Sequence, residues 1–167
     1  YPNAHVMFFD IVGFTKRVEK MQAEEIVEEI HELFSGMDDI VSKYKIEKIK
    51  TIGDAYMCVS GLNEVEDPNA AINTIEAAKE VLILLEKLNQ EKINNGKSPL
   101  QLRVGINSGA VIAGVVGKSK FSYDIWGDTV NLAARMETAG ELGKINISYN
   151  TYIQVKDHYA CISRGKL

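Results

Sequence analysis

Asp10 lies where an apolar stretch of the chain gives way to a glycine-containing turn, which makes it a candidate metal ligand. Residues 6–9, Val-Met-Phe-Phe, are apolar throughout. A strand of this composition has both faces covered, which places it in the middle of a sheet. An aspartate at the end of such a strand can cap the next helix or bind a hard cation, and for an isolated residue the cap is the commoner role.

A second aspartate, Asp54, lies between two short runs of strand-forming residues, 48–52 and 55–59. The dipeptide Gly53-Asp54 favours a tight hairpin between them. If the second run pairs antiparallel with the first strand, Asp10 and Asp54 come together. Two neighbouring carboxylates repel each other unless positive charge lies between them. Mg²⁺ suits such a pair because it takes few protein ligands and keeps water or phosphate oxygens for the others.

The turn after Asp10 offers backbone donors to an anion. Gly13 has no side chain, so the backbone there can approach a ligand closely. The N–H groups of Gly13, Phe14 and Thr15 would face that ligand at the start of a helix. Together with a divalent cation, this turn favours a phosphate-containing ligand.

Three long motifs follow one another along the chain. They are FFDIVGFT at 8–15, KIKTIGDAYM at 48–57 and FSYDIWGDTVNLAARME at 121–137. On these motifs the chain resembles the catalytic domain of the class III nucleotidyl cyclases, which convert ATP or GTP into a 3′,5′-cyclic nucleotide. The resemblance runs from about Val6 to about Ile147. One motif alone would be weak support, whereas three in register are hard to obtain by accident.

The resemblance implies a two-metal reaction in which the ribose 3′-OH attacks the α-phosphorus and pyrophosphate leaves. Asp10 and Asp54 match the metal-binding aspartates of the family, and the backbone carbonyl of Ile11 completes the shell of the second metal. Two Mg²⁺ or Mn²⁺ ions per active site would lower the pKa of the hydroxyl and neutralise the triphosphate.

Asn131 and Arg135 are four residues apart on a predicted helix and so point the same way. By themselves, the Asn could satisfy a backbone group and the Arg could be a surface charge. The resemblance implies instead that Asn131 holds the ribose and that Arg135 stabilises charge on the α-phosphoryl oxygens in the transition state. Lys144 matches another basic position of the family that faces the phosphates.

Lys50 and Asp124 match the positions that select the purine base in the family. Lysine only donates hydrogen bonds and ionised aspartate only accepts them. This pair complements the N1 acceptor and the 6-amino donor of adenine, whereas guanine presents the reverse pattern. The guanylyl members carry Glu and Cys at these positions. Without the resemblance, Lys50 would be interpreted as a solvated lysine.

We therefore predict an adenylyl cyclase with ATP as substrate. The alternatives are a guanylyl cyclase and a non-catalytic regulatory or dimerisation module that kept the fold. In the family, one domain brings the metal aspartates and a second domain brings the base, ribose and transition-state residues. This chain carries both sets, which predicts a homodimer with two equivalent sites.

The order of predicted elements is typical of an α+β fold, with a ferredoxin-like βαββαβ core followed by additional C-terminal strands and a helix. The first long helix has an apolar face formed by Ile26, Val27, Ile30, Leu33, Phe34, Met37, Ile40 and Val41. Its acidic residues, expected on a solvated face, are Glu24, Glu25, Glu28, Glu29 and Glu32. Further along the chain, we predict a helix opened by Asp67-Pro68, then strands at 100–106 and 111–116 joined by a turn at 107–109. A strand at 121–125 is expected to extend the sheet. A helix at 129–139 that ends at a left-handed Gly140 and a strand at 144–148 complete the prediction.

The composition is that of an ordinary soluble domain. The chain has 167 residues, 46% hydrophobic and 25% charged, with a net charge of −4. The absence of a basic stripe argues against a nucleic-acid partner. Cys58 and Cys161 are far apart in the sequence and Cys58 lies in an apolar run, which predicts reduced core cysteines and a cytoplasmic location.

The ends of the chain suggest a piece of a longer protein. The chain starts at Tyr1 without a methionine, and it stops at 164–167, before or at the start of a final hairpin that carries a phosphate-binding lysine in the family. We expect residues 1–167 to be one catalytic domain that lacks this hairpin. Sensor or membrane segments of the parent protein would lie outside it.

Overall fold

A computed structural model describes residues 1–63 and 67–166 of the chain. Its elements, in chain order, are β1 (Ala4–Ile11), α1 (Phe14–Val18), α2 (Ala23–Lys43), β2 (Glu47–Ile52), β3 (Ala55–Ser60), α3 (Ala70–Asn94), β4 (Leu102–Gly109), β5 (Ile112–Val116), β6 (Ser122–Trp126), α4 (Asp128–Thr138), β7 (Ile145–Ile147) and α5 (Tyr149–Val155). The predicted α+β fold, with its βαββαβ order through β4, is confirmed.

The strand β1 lies at the centre of a five-stranded sheet of order β2-β3-β1-β4-β7. It pairs antiparallel with β3 on one side and with β4 on the other. Its side chains alternate between two hydrophobic cores: Met7, Phe9 and Ile11 join one, and Ala4, Val6 and Phe8 join the other. A strand buried on both faces needs an uninterrupted apolar sequence, which explains the run that precedes Asp10.

Helices cover both faces of this sheet. The helices α2 and α3 close the first core with side chains such as Leu33, Met37 and Val81. The helix α4 closes the second core with Ala133. Where α4 crosses β4, a Cβ added to Gly105 would lie 1.9 Å from the backbone nitrogen of Glu137. Glycine is therefore required at this crossing, and it fixes the height of α4 above the sheet.

The predicted turn at 107–109 is wrong, because β4 continues through it to Gly109. Its polar residues make tertiary contacts instead of forming a turn. The amide of Asn107 donates to the carbonyl of Thr129 at 2.9 Å, and Ser108 lies 2.8 Å from the ring of His5. The next two strands, β5 and β6, pair with each other in a separate two-stranded sheet, so the predicted extension of the main sheet at 121–125 is also wrong.

The start of one helix and the end of another differ from the prediction. The helix α3 begins at Ala70 after an Asn69 cap, so Pro68 does not occupy its first turn. Asp67 instead accepts a hydrogen bond from the backbone N–H of Asn69 at 2.9 Å. The helix α4 does end before Gly140, but this glycine is not among the residues with a left-handed backbone.

The predicted faces of α2 need two corrections. Val27 is 66% exposed, and Glu29 is buried. The carboxylate of Glu29 lies 3.0 Å from the guanidinium of Arg17 on α1 and 2.9 Å from the ammonium of Lys92 on α3. Both cations come from other helices, so the pattern of α2 alone could not reveal this ion-pair cluster.

The cysteine prediction is confirmed only in part. Both are free thiols and Cys58 is buried, but Cys161 is exposed, so its predicted core position is wrong. Of the helices in residues 1–63 and 67–166, none is sufficiently long and apolar to span a bilayer.

The burial of Glu29 predicts a large stability loss when its carboxylate is removed. Glu29→Ala leaves Arg17 and Lys92 without their shared counter-ion, and we expect it to lower the free energy of unfolding by about 3 kcal/mol. Urea denaturation measures this loss. Glu28→Ala, at an exposed position of the same helix, is the matched control and should change the free energy by less than about 0.5 kcal/mol. Equal effects of the two substitutions would contradict the burial of this ion pair.

Candidate active site

The pairing of β1 with β3 brings Asp10 and Asp54 to the same end of the sheet. Asp10 lies opposite Ala55 in the antiparallel register, and Asp54 immediately precedes that residue. The backbone N–H of Ile11 donates to the carbonyl of Asp54 at 3.4 Å. The antiparallel arrangement expected from the sequence is therefore present.

Asp10 has an electrostatically unfavourable position. Burial raises the pKa of its carboxyl group above the ordinary value, and the neighbouring Asp54 carboxylate adds to the rise. A hydrogen bond from the guanidinium of Arg103 opposes it. On balance the pKa of Asp10 stays raised, because burial, together with the smaller effect of Asp54, outweighs the hydrogen bond and charge of Arg103.

Arg103 was not singled out from the sequence, although it faces Asp10 directly across the β1–β4 ladder. Its Nη2 donates to Oδ2 of Asp10 at 3.0 Å, and its Nε lies 2.9 Å from Oε1 of Glu137 on α4. The sequence signal for it is that Arg103 is the one charged residue of β4. The β1–β4 register needed to assign its partner was not available from local patterns.

The oxygen atoms around Asp10 fit a hard divalent cation. Within the two described ranges, no three His, Cys, Asp or Glu side chains cluster as a ready-made metal cage. The donors at hand are the carboxylates of Asp10 and Asp54 and the nearby carbonyl of Ile11. Such an all-oxygen set with few protein ligands suits Mg²⁺ or Mn²⁺, which would keep water or phosphate oxygens as further ligands.

The turn after β1 has the predicted form. Gly13 adopts a left-handed backbone, with φ 75°, and immediately precedes α1. A Cβ at this position would meet no atom within 4 Å, so the backbone angle and not a lack of space requires glycine. The N–H groups at the beginning of α1, including those of Phe14 and Thr15, have no acceptor in the preceding turn of the helix and are suited to an anion.

Lys50 and Asp124 form an ion pair between the two sheets. Lys50 lies on β2 and Asp124 on β6, and the lysine ammonium donates to Oδ2 of the aspartate. The other carboxylate oxygen accepts a hydrogen bond from the backbone N–H of Ile125 at 2.9 Å. Lys50 is therefore not a free solvated lysine, and the two residues predicted to select the base lie side by side.

Asn131 and Arg135 lie on the outward side of α4. Both are exposed, whereas Ala133 and Met136 of the same helix are buried. At the start of α4, the hydroxyl of Thr129 donates to the carbonyl of Ala110 at 2.6 Å and helps to anchor the helix.

The predicted site residues fall into separate groups within one chain. In the part of the chain that the structure describes, no hydrogen bond or ion pair joins Asn131 or Arg135 to Asp10 or Asp54. Lys144 is an exposed residue just before β7, and its backbone N–H donates to the carbonyl of Glu141 at 3.2 Å. The structure gives Lys144 no contact with the two aspartates.

The whole chain, residues 1–167, matches the family model described as the adenylate and guanylate cyclase catalytic domain. An adenylate cyclase of Mycobacterium tuberculosis is 36% identical over 167 residues, which is all of this chain and 37% of that protein. Guanylate cyclase 32E of Drosophila melanogaster is 42% identical over 163 residues, or 96% of this chain and 14% of that protein.

The fold agrees with these matches. The crystal structure of the adenylyl cyclase CyaB from P. aeruginosa superposes with a TM-score of 0.93 at 31% identity, covering 99% of this chain and 86% of that one. The chain belongs to the adenylate and guanylate cyclase catalytic domain family, as its three motifs predicted. It spans less than two fifths of the two curated relatives, one of which is an adenylate cyclase and the other a guanylate cyclase.

Proposed function

We propose that this chain is an adenylyl cyclase that converts ATP into 3′,5′-cyclic AMP and pyrophosphate. The observation that carries the choice of substrate is the contact between Lys50 and Asp124. Their side chains are 39% and 17% exposed, so both can still face a ligand. When adenine enters, the lysine can donate to N1 while the aspartate accepts from the 6-amino group.

The guanylyl alternative is supported by the 42% identity to a guanylate cyclase. The hydrogen-bonding pattern argues against it, because guanine would place its N1 donor against the lysine and its O6 acceptor against the aspartate. A buried polar group left unpaired costs about 1–3 kcal/mol, so a site of this kind discriminates strongly. The non-catalytic alternative has no support from the residues present, since the metal, base and helix α4 positions all carry the residues that the resemblance requires.

Each group of residues has its own task in the proposed reaction. Asp10, Asp54 and the carbonyl of Ile11 would hold two Mg²⁺ or Mn²⁺ ions, which activate the ribose 3′-OH and neutralise the triphosphate. The N–H groups at the start of α1 bind phosphate oxygens. Asn131 orients the ribose, and Arg135 offsets the charge that develops on the α-phosphoryl oxygens. Lys144 contributes a further positive charge toward the phosphates.

A homodimer explains why the two halves of the chemistry do not meet within one chain. The outward side of α4 leaves Asn131 and Arg135 free to enter the site of a second copy. The strands β5 and β6 also expose apolar side chains: Ile112, Val115 and Val116 are 72%, 61% and 59% exposed, and Phe121, just before β6, is 77% exposed. Large apolar side chains this exposed are typical of an interaction surface. A two-fold axis would then give two equivalent shared sites.

The substrate assignment predicts a change of specificity when the two residues that select the purine base are replaced. Lys50→Glu with Asp124→Cys exchanges the donor and the acceptor, so the ratio of kcat/KM for ATP to that for GTP should fall by about tenfold or more. Steady-state rates with each nucleotide measure the ratio. The control Lys48→Glu, on the same strand but paired with Asp38, should leave the ratio unchanged. Equal use of ATP and GTP by the unmodified chain would contradict the assignment.

The shared site predicts complementation between two inactive variants. Asp10→Ala lacks a metal ligand and Arg135→Ala lacks the transition-state cation, so each homodimer should be nearly inactive. In a mixed dimer, one site carries both defects and the other has an intact Asp10 from one chain and an intact Arg135 from its partner. An equal mixture contains about half mixed dimers, each with one good site, so activity should return to about a quarter of wild type.

The complementation needs proof that the subunits exchange. Two affinity tags on the two variants allow the mixed dimer to be isolated and counted. If the isolated mixed dimer is as inactive as its parents, each site is built within one chain and the shared-site proposal is wrong.

A further inference from the structure

A chain of three charged side chains links the metal-binding strand to the helix α4. Asp10 on β1, Arg103 on β4 and Glu137 on α4 form two consecutive ion pairs of 3.0 and 2.9 Å. Their side chains are 20%, 28% and 11% exposed, so these three charged groups are mostly shielded from water. Glu137 has no place in the proposed reaction, and its neighbours Asn131 and Arg135 on the same helix face outward.

One guanidinium thus serves two carboxylates. Arg103 binds Oδ2 of Asp10, so a divalent cation on the same carboxylate lies close to the guanidinium and the two positive charges repel each other. This repulsion favours a displacement of Arg103 from Asp10. A largely buried arginine without a carboxylate partner is costly, so the cation binds more weakly if Arg103 has nowhere else to place its charge.

Glu137 is positioned to keep Arg103 after that displacement. Its backbone is packed directly on β4 at Gly105, where no Cβ would fit. Its other carboxylate oxygen accepts a hydrogen bond from the hydroxyl of Thr138 at 3.3 Å. The carboxylate is therefore held against Nε of Arg103 while Asp10 accepts from Nη2, and it can retain the guanidinium without a movement of α4.

We propose that Glu137 is a positioning residue that holds Arg103 when a divalent cation takes Asp10, and thereby strengthens cation binding at the active site. Glu137 itself touches neither the cation nor the nucleotide. The inference rests on the metal-binding part of the proposed function.

The first test measures binding of Mn²⁺ alone to the purified chain by the loss of the free-ion electron paramagnetic resonance signal. Glu137→Gln should raise the dissociation constant at the Asp10 site by about fivefold or more. Asp10 is then the remaining carboxylate partner of Arg103, so a cation that displaces Arg103 leaves it without a counter-ion. Glu141→Gln removes the same charge from a surface pair with Arg164 and should change the constant by less than about twofold. Asp54→Ala identifies the site, since the loss of this carboxylate should abolish Mn²⁺ binding there.

The second test distinguishes a role through Arg103 from a role in supporting α4. In the mixed dimer of Asp10→Ala and Arg135→Ala chains, the surviving site takes Asp10 from the Arg135→Ala chain. Glu137→Gln placed in that chain should raise the Mn²⁺ concentration for half-maximal activity. Placed in the Asp10→Ala chain, whose α4 supplies Arg135, it should have no such effect because the ion-pair chain there already lacks Asp10.

Each contrary outcome has a distinct meaning. Equal shifts for Glu137→Gln and Glu141→Gln, or an equal effect in either chain of the mixed dimer, would overturn the proposed role of Glu137. Mn²⁺ binding that does not depend on Asp54 would overturn the metal site itself, and this inference with it. If Glu137→Gln does not fold, Glu137→Asp withdraws the carboxylate by one methylene group and should shift the constant in the same direction.

Discussion

The repulsion between Asp10 and Asp54 is the constraint on which the rest of the site depends. The antiparallel pairing of β1 with β3 brings both carboxylates to the same end of the sheet. Burial, and to a smaller extent the Asp54 carboxylate, raises the pKa of Asp10. A fold that held them there without compensation would be destabilised. Arg103 supplies one positive charge from β4, and the oxygen donors that remain are those that a divalent cation prefers. In the proposed reaction, a divalent cation that accompanies the nucleoside triphosphate would supply further positive charge at this point.

The two faces of the central sheet divide the work. The core under α2 and α3 secures the strands that carry the aspartates, while α4 lies on the opposite face and presents Asn131 and Arg135 outward. Gly105 fixes the distance between α4 and β4, so the outward residues keep a set position relative to Asp10 without touching it. This separation is what a shared site in a two-fold dimer requires. The contact of Lys50 with Asp124 joins the main sheet to the β5–β6 pair, and in the proposed reaction the purine base would bind there.

The sequence predicts those parts that local patterns determine. The apolar run before Asp10 indicates a central strand, the Gly53-Asp54 dipeptide indicates the hairpin, and the four-residue spacing of Asn131 and Arg135 indicates one helix face. Features that depend on distant partners were missed. Glu29 has the local appearance of a surface residue, yet Arg17 and Lys92 from other helices enclose it. Arg103 lies outside the three motifs. The turn-forming residues Asn107 and Ser108 continue a strand because their side chains make hydrogen bonds with α4, β1 and α5.

The most direct measurement is to identify the product of the purified chain. The chain is incubated with ATP or with GTP, each with Mg²⁺ and with Mn²⁺, and the products are separated by chromatography and identified by mass. The account predicts 3′,5′-cyclic AMP and pyrophosphate in equal amounts from ATP, dependent on the metal, with GTP converted much more slowly. Cyclic GMP as the main product would contradict the role given to Lys50 and Asp124. A folded dimer that forms no cyclic nucleotide with either metal would contradict the catalytic assignment itself.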